Sequence, residues 1–308
     1  VNALISAAKN KKQVQVFVEL KARFDEANNI KWSKEMEKAG VKIIYSIPQI
    51  KVHSKIALVI KKSKEGLKGY GYIGTGNFNE TTARFYTDHA LFTARHDVIK
   101  DLKHLFSILD KRKRPEKNAV SEFNELLVSQ YNMVPAFEEE IMKQIKRSKK
   151  GLDALIRIKL NNLEDIYMID LLYKASQAGV KIQLLVRGIC CIAPGKENLS
   201  ENIQVKRIVD RFLEHSRILI FGQGADSKIY IGSADWMARN LQQRIEVCTP
   251  VVEERLKGEL VNYFDIQWND KVKAVALDAE LNQLKQYDGV EEDRRCPQEK
   301  IYDYLKQR

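Results

Sequence analysis

The stretch Lys51-Val52-His53-Ser54-Lys55-Ile56-Ala57-Leu58-Val59-Ile60 decides the fold, because a weaker copy returns as Glu214-His215-Ser216-Arg217-Ile218-Leu219-Ile220. Each copy places a basic residue two positions after a histidine and then continues into an apolar run. In a β-strand, residues i and i+2 lie on the same face. The pattern therefore predicts two strands, each carrying an imidazole beside a fixed cation.

Glycine-containing turns after the two copies support an internal duplication. The first turn is Gly74-Thr75-Gly76-Asn77, and the second is Gly232-Ser233-Ala234-Asp235. Matching positions lie 168 residues apart at the first strands (13 and 181), 162 apart at the histidines (53 and 215) and 158 apart at these turns (74 and 232). An interval that shrinks steadily is typical of a diverged duplication in which the second copy has lost a few residues.

Strands and helices alternate along both halves of the chain. This alternation is typical of an α/β fold, with mainly parallel or mixed sheets flanked by helices. A charged, proline-terminated segment at residues 111–115 marks a boundary between two domains. We therefore expect one domain over residues 1–115, which carries His53, and a second over residues 116–308, which carries His215. The hydrophobic periodicity predicts helices over residues 29–39, 101–109, 137–149, 166–178, 253–268 and 297–306, and strands over residues 13–19, 41–46, 69–73, 154–159, 181–186, 203–209 and 227–231.

The charge of the chain indicates an anionic partner. Its 308 residues include 52 Lys and Arg against 41 Asp and Glu, so the formal net charge is +11. Such an excess favours nucleic acid, polyphosphate, a nucleotide or a lipid headgroup without choosing among them. No run reaches the roughly 18 apolar residues of a membrane span, so membrane association is not indicated. Four cysteines without metal-ligand spacing predict reduced thiols in the cytoplasm.

The two histidine motifs resemble those of the phospholipase D superfamily, in which two α/β halves each supply one histidine to a shared site. Enzymes of that superfamily usually carry an aspartate seven residues after the histidine, where this chain has Ile60 and Gly222. A closer resemblance, to the polyphosphate kinase family, covers essentially the whole chain. It includes Thr82-Ala83-Arg84-Phe85-Tyr86-Thr87-Asp88 and the segments at residues 18–26, 73–79, 184–190 and 233–240. These segments match the C-terminal catalytic domains of that family, so the chain, which begins at Val1, is expected to be a piece of a longer protein.

The resemblance implies roles for the two histidine–cation pairs. His53 would attack the γ-phosphorus of ATP as a neutral imidazole and carry the phosphoryl group. Lys55 would neutralise charge on the transferred group. His215 would face His53 near the nucleotide and assist as an acid, a base or a positioning group, with Arg217 as the counterpart of Lys55.

Further residues match nucleotide and phosphate positions of the family. Tyr86 would stack on ATP, and Arg187 would make a forked contact to phosphate. Arg23 matches an arginine at the magnesium site, and it would grip phosphate oxygens that hold Mg²⁺, because a guanidinium has no lone pair for a metal. Lys159 is a second-rank candidate for lining a polyanion channel. Asp235 would either orient His215 or stabilise its turn.

The expected function is reversible transfer of the ATP γ-phosphate to inorganic polyphosphate through phosphorylated His53, with Mg²⁺ offsetting the charge of the nucleotide. The partners would be ATP, ADP and polyphosphate, not nucleic acid, and the full-length protein would be a homo-oligomer. Two alternatives stay open: a phospholipase D-like phosphodiesterase or phosphatidyltransferase, and a non-catalytic polyanion-binding module. The residues at positions 60 and 222 argue against the first alternative.

Overall fold

The computed structural model describes residues 1–19, 26–47, 50–64, 66–112, 123–284 and 295–307. Arg23 and the domain boundary predicted near residue 115 lie outside these residues. Six of the eight described helices begin and end within five residues of those predicted above, and the short helix at residues 238–242 has no predicted counterpart. The helices are α1 Asn2–Lys9, α2 Glu26–Lys38, α3 His96–Lys111, α4 Met133–Lys149, α5 Ile166–Gln177, α6 Ala238–Gln242, α7 Glu254–Trp268 and α8 Pro297–Lys306.

The strands are more numerous than the sequence pattern predicts. Six of them contain only two residues. In chain order they are β1 Gln15–Val18, β2 Lys42–Tyr45, β3 Lys51–Val52, β4 Lys55–Ser63, β5 Gly66–Gly74, β6 Tyr86–Thr87, β7 Ala90–Thr93, β8 Leu127–Val128, β9 Leu155–Leu160, β10 Lys181–Val186, β11 Ile203–Ile208, β12 Leu213–Glu214, β13 Ile218–Phe221, β14 Lys228–Gly232, β15 Arg244–Ile245, β16 Val247–Val251, β17 Ala274–Leu277 and β18 Gln283–Leu284.

A nine-stranded mixed sheet forms the centre of the second half, in the order β18-β17-β11-β10-β9-β13-β14-β16-β8. Strands β9, β10 and β11 are parallel, and the other pairings are antiparallel. Apolar side chains of α4 and α5 pack on one face of the sheet. Side chains of α7 and α8, including Phe264 and Ile301, pack on the other. Both faces are thus covered, as the α/β pattern predicts.

The first half contains the antiparallel sheet β4-β5-β7 and the parallel pair β1-β2. Helix α3 lies against β5, where Gly69 and Gly71 leave room for Ile99 and Leu102. This core also takes in Ile245 and Val247 from the second half. The two halves therefore share an apolar core at their boundary.

The strands of the two halves correspond in order and direction. β1, β2, β4, β5 and β7 match β10, β11, β13, β14 and β16. Helix α2 joins β1 to β2, whereas only turns join β10 to β11, which accounts for the drop of the interval from 168 to 162 residues. Strands β13 and β14 are shorter than β4 and β5, which accounts for the further drop to 158 residues. In the second half β9 stands between β10 and β13. No strand stands between β1 and β4 in the part of the chain that the structure describes, so the first half has two separate sheets.

The prediction that each histidine lies inside one continuous strand is wrong. β3 ends at Val52 and β4 begins at Lys55, and the same break separates β12 from β13 around His215. The cause is a change of partner. β3 pairs with β15 and β12 pairs with β6, both in the opposite half, before β4 and β13 return to their own sheets.

None of the helices in the described ranges is long and apolar enough to cross a membrane.

Candidate active site

The crossing strands anchor the backbone of each histidine on the opposite half. The amide of His53 donates to the carbonyl oxygen of Ile245 at 2.9 Å. The amide of His215 donates to the carbonyl oxygen of Thr87 at 3.2 Å. Ile245 and Thr87 are the last residues of β15 and β6. Both imidazoles are therefore held at the boundary between the two halves.

A carboxylate from the opposite half contacts each imidazole. Glu246 follows β15, and its Oε2 lies 2.9 Å from Nδ1 of His53. Asp88 follows β6, and its Oδ1 lies 2.8 Å from Nδ1 of His215. A carboxylate at Nδ1 fixes the tautomer and the ring orientation, and it leaves Nε2 as the nitrogen with a free lone pair.

A hydroxyl group from each glycine-containing turn supports the carboxylate. Thr75 Oγ1 donates to Asp88 Oδ1 at 2.5 Å, and Ser233 Oγ donates to Glu246 Oε2 at 2.5 Å. Burial acts to raise the pKa of both carboxyl groups, but the histidines and these hydroxyls hold the pKa below its ordinary value. Both carboxylates are therefore charged at neutral pH. Thr75 and Ser233 occupy matching positions in the two turns, and each hydroxyl group holds the carboxylate that contacts a histidine.

A buried cation lies beside each histidine, as the sequence predicts. The Lys55 ammonium donates to the carbonyl oxygen of His53. Arg217 Nη1 donates to the carbonyl oxygen of His215 at 2.7 Å and lies 3.2 Å from its Nε2. Burial lowers the pKa of Lys55 to about 7. This lysine can therefore lose its proton near neutral pH.

Both imidazoles are held in their neutral form. Burial is the largest cause that lowers the pKa of His53 and His215, and their carboxylate partners oppose it. Arg217 also lowers the pKa of His53, and Lys55 also lowers that of His215. Each cation thus acts on the histidine of the other half. The two half-sites form one electrostatic unit.

The two histidines differ at Nε2. In His215 this nitrogen faces Arg217 Nη1 at 3.2 Å, and the side chain is 11% exposed. His53 is 22% exposed, and within the described ranges its Nε2 has no hydrogen-bond partner. His53 therefore presents the more available lone pair.

The predicted nucleotide residues lie on the His215 side. The ring of Tyr86 is 4.9 Å from the imidazole of His215, centroid to centroid. Arg187 Nε donates to Asn161 Oδ1 at 3.2 Å. Burial lowers the pKa of Arg187, and the charges of Asp235, Arg217 and Tyr86 act on it as well. Arg23, predicted at the magnesium site, lies outside the described residues.

Of the two roles left open for Asp235, the orientation of His215 is wrong, and so is the placement of Lys159 in a polyanion channel. Asp235 pairs with Arg217 at 3.2 Å and accepts from the amide of Asn161, and the carboxylate on His215 is Asp88 instead. Lys159 does not line an open channel, because it is buried in an ion pair with Glu214.

Sequence reasoning missed Asp88, Glu246 and Arg244. The duplication itself contains the signal for them. Asp88 and Glu246 lie 158 residues apart, which is the interval of the glycine-containing turns, and Tyr86 and Arg244 share that interval. Arg244 is therefore the counterpart of Tyr86 in the other half, and its charge acts on Lys55. Its Nη1 lies 3.9 Å from Glu246 Oε1.

Two related α/β halves that bring one histidine each to a common boundary define a two-domain protein resembling those with the phospholipase D fold. Residues 1–115 match the family model described as polyphosphate kinase C-terminal domain 1, and residues 126–297 match C-terminal domain 2. The chain belongs to the polyphosphate kinase family. The predicted family and fold class are thereby confirmed, whereas the exact domain boundary stays a prediction.

Curated relatives agree with this assignment. Polyphosphate kinase of Escherichia coli (strain K12) is 43% identical over 306 residues, which cover 99% of this chain and 44% of the relative. The enzyme of that name from Vibrio vulnificus (strain YJ016) is 42% identical over 306 residues, covering 99% and 43%. The chain thus spans less than half the length of these relatives.

Solved structures give the same result. The crystal structure of polyphosphate kinase from Porphyromonas gingivalis matches with a TM-score of 0.89 and 44% identity, over 99% of this chain and 46% of that one. Phosphatidylserine synthase from Haemophilus influenzae Rd KW20 matches with a TM-score of 0.54 and 11% identity, over 99% and 82%. The second likeness shows a shared fold alone.

Proposed function

We propose that the protein is a polyphosphate kinase that reversibly transfers the γ-phosphate of ATP to inorganic polyphosphate through phosphorylated His53. The observation that carries the proposal is the free Nε2 of a neutral, half-buried imidazole whose Nδ1 is held by Glu246. Membership of the family and the 43% identity to curated polyphosphate kinases support the choice of substrates.

In the first step, the Nε2 lone pair of His53 attacks the γ-phosphorus. The bond from that phosphorus to the bridging oxygen breaks, and ADP leaves. The imidazole gains positive charge as the N–P bond forms, and the Glu246 carboxylate at Nδ1 stabilises it. In the second step, a terminal oxygen of polyphosphate attacks the same phosphorus, which restores His53 and lengthens the chain by one phosphate.

The cations would act on the charge of the moving phosphoryl group. Phosphoryl transfer depends mainly on positioning and on neutralising the equatorial oxygens. Lys55 and Arg217 lie beside the two histidines, one from each half, and are suited to this task. His215, with Asp88 behind it, would assist on the nucleotide side, where Tyr86 and Arg187 would hold ATP.

The described residues do not fit a protein cage for magnesium. They contain no group of three or more His, Cys, Asp or Glu side chains placed to share an ion. Asp88 and Glu246 already accept hydrogen bonds from the histidines. Mg²⁺ commonly binds substrate phosphates through few protein ligands. In our proposal, Mg²⁺ arrives on the nucleotide and the protein supplies cations around it.

The test is labelling of the full-length protein with γ-labelled ATP. We expect acid-labile, base-stable label on the wild type, as phosphohistidine gives, and none on His53→Ala, together with loss of polymer synthesis. Label retained by His53→Ala would refute the assignment of the nucleophile. Hydrolysis of a lipid or nucleic-acid diester without transfer to polyphosphate would favour the phosphodiesterase alternative. The cytoplasmic location and homo-oligomeric state stay predictions.

A further inference from the structure

A buried ion pair lies directly beside His215. Lys159 Nζ on β9 is 2.9 Å from Glu214 Oε2, and their side chains are 4% and 2% exposed. Glu214 is the residue before His215 in the chain. The carboxyl pKa of Glu214 falls to about 2, because Lys159 and hydrogen bonds outweigh the effect of burial. The Glu214 carboxylate is therefore charged across the physiological range.

The same ammonium holds the other neighbour of His215. Lys159 Nζ donates to Ser216 Oγ at 2.9 Å. One buried group thus fixes the residues on both sides of the catalytic histidine. The ring of His215 contacts Asp88 and Arg217, while Lys159 holds the residues on either side of it in the chain.

Helix α8 completes this arrangement through Gln298. Gln298 Nε2 donates to Glu214 Oε1 at 2.8 Å and to the carbonyl oxygen of Phe212 at 2.8 Å. Its Oε1 accepts from the amide of Phe212 at 3.0 Å. The first half contributes Thr87, whose Oγ1 donates to Glu214 Oε2 at 3.1 Å. The Glu214 carboxylate therefore joins β9, β12, α8 and the opposite half.

Within the described ranges, no buried ion pair fixes both neighbours of His53, although the amide of Val52 donates to Glu19 Oε2 at 3.2 Å. Val52 and Ser54 occupy the positions that Glu214 and Ser216 occupy in the second half. Ser54 Oγ is buried and has no hydrogen-bond partner in the described part of the chain. This difference between the two half-sites agrees with the different roles proposed for His53 and His215.

A buried ion pair is weak evidence for stability, since desolvation offsets much of its attraction. Because this ion pair lies beside His215, it is suited to fixing the position of that histidine. We propose that Lys159, Glu214 and Gln298 form a brace that positions His215 for transfer, and that α8 is a required part of the active site through this brace. The proposal rests on the proposed function. These three are positioning residues, because they act on His215 through Phe212, Glu214 and Ser216.

Two variants remove the brace in different ways. The double variant Lys159→Met/Glu214→Gln removes both charges together, so that no unpaired charge stays buried. Gln298→Ala leaves the ion pair intact and removes only the contact with α8. The matched control is Arg157→Met. Arg157 lies two residues before Lys159 on β9, is also buried, and pairs with Asp265 on α7 at 3.0 Å, but it does not contact the neighbours of His215.

Each variant is made in the full-length protein, and three quantities are measured: the thermal midpoint, the dissociation constant for ATP, and the single-turnover rate of phosphoenzyme formation. Loss of the brace should slow this rate by roughly 10- to 100-fold, because small misplacement of a catalytic group has effects of that order. ATP affinity should stay within about threefold of wild type, since Tyr86 and Arg187 remain. Arg157→Met should lower the thermal midpoint without slowing the folded enzyme.

Two results would overturn the brace. One is a wild-type rate in folded Lys159→Met/Glu214→Gln and in Gln298→Ala. The other is an equal loss of rate in Arg157→Met, which would mean general loosening of the sheet. Failure of the proposed function looks different, because the wild-type protein itself would then form no phosphoenzyme and no polyphosphate.

Discussion

Lys55 is a buried lysine whose charge depends on pH near neutrality. Its pKa is about 7 because burial disfavours the ammonium. The proposed transfer requires Lys55 protonated and His53 neutral, and burial places the pKa of His53 below its ordinary 6.5. We therefore expect kcat/KM to fall as pH drops through the lowered pKa of His53, and to fall again as pH rises through about 7.

The measurement is kcat/KM for ATP from about pH 5 to pH 9, since this quantity reports the free enzyme. Lys55→Arg keeps its charge throughout this range. Its profile should retain the acid limb and lose the basic one. A basic limb that is unchanged in Lys55→Arg would assign that ionisation to another group.

His53 and His215 should fail in different ways when each is replaced by Gln. His53→Gln removes the nucleophile, so ATP should bind and no phosphoenzyme should form. His215→Gln removes assistance that typically contributes about 10²–10⁴-fold, so a slow phosphoenzyme should still appear. Single-turnover labelling at saturating ATP distinguishes them. Normal labelling of His53→Gln with none on His215→Gln would reverse the two roles.

The sequence predicted the residues of the site that lie inside its local motifs. His53 with Lys55 and His215 with Arg217 were found because each pair is two residues apart. Glu246 and Asp88 escaped notice because they contact histidines 193 and 127 residues away. A short-range sequence pattern contains no information on contacts between residues so far apart in the chain. Only the common interval of the duplication could have indicated these partners.

The packing of α3 on β5 depends on a glycine. A Cβ on Gly69 would lie 2.3 Å from Cγ2 and 3.3 Å from Cβ of Ile99, a branched side chain with little room to move. We expect Gly69→Ala to lower the free energy of unfolding by about 1–3 kcal/mol, as overpacking typically does. Chemical denaturation measures this value.

Gly258→Ala is the matched control for this substitution. Gly258 lies inside α7, and nothing would lie within 4 Å of its added Cβ. Alanine there should stabilise the protein by roughly 0.5–1 kcal/mol, because it favours the helix. Equal effects of the two substitutions would contradict the close contact between β5 and α3.

Elements with a strong local period were predicted well, and elements defined by distant partners were not. Helix α8, Pro297–Lys306, has the predicted bounds. Helix α4 begins at Met133, four residues before the predicted start, because Pro135 is tolerated in a first turn. The two-residue strands β3, β6, β12 and β15 have no period to detect. Each exists because its partner lies in the other half.

At the scale of the whole molecule, the excess of 11 positive charges should control polyphosphate binding. A polyanion that binds to cations releases its counterions, as nucleic acids do, so affinity should fall steeply with added salt. We expect a linear fall of log affinity with log salt concentration, measured by titration of polyphosphate. Arg187→Ala should reduce the slope by about one. Salt-independent affinity would exclude a site built on these cations.

Each imidazole takes its carboxylate and its backbone anchor from the opposite half, so neither half contains a complete catalytic group. Separation of the halves by a few ångströms would break all four contacts in a single event. Under the proposed function, the chemistry would be confined to the arrangement in which the two halves are in contact. Any separation that let a polymer enter or leave would interrupt the chemistry at both histidines at once, and renewed contact would restore both together.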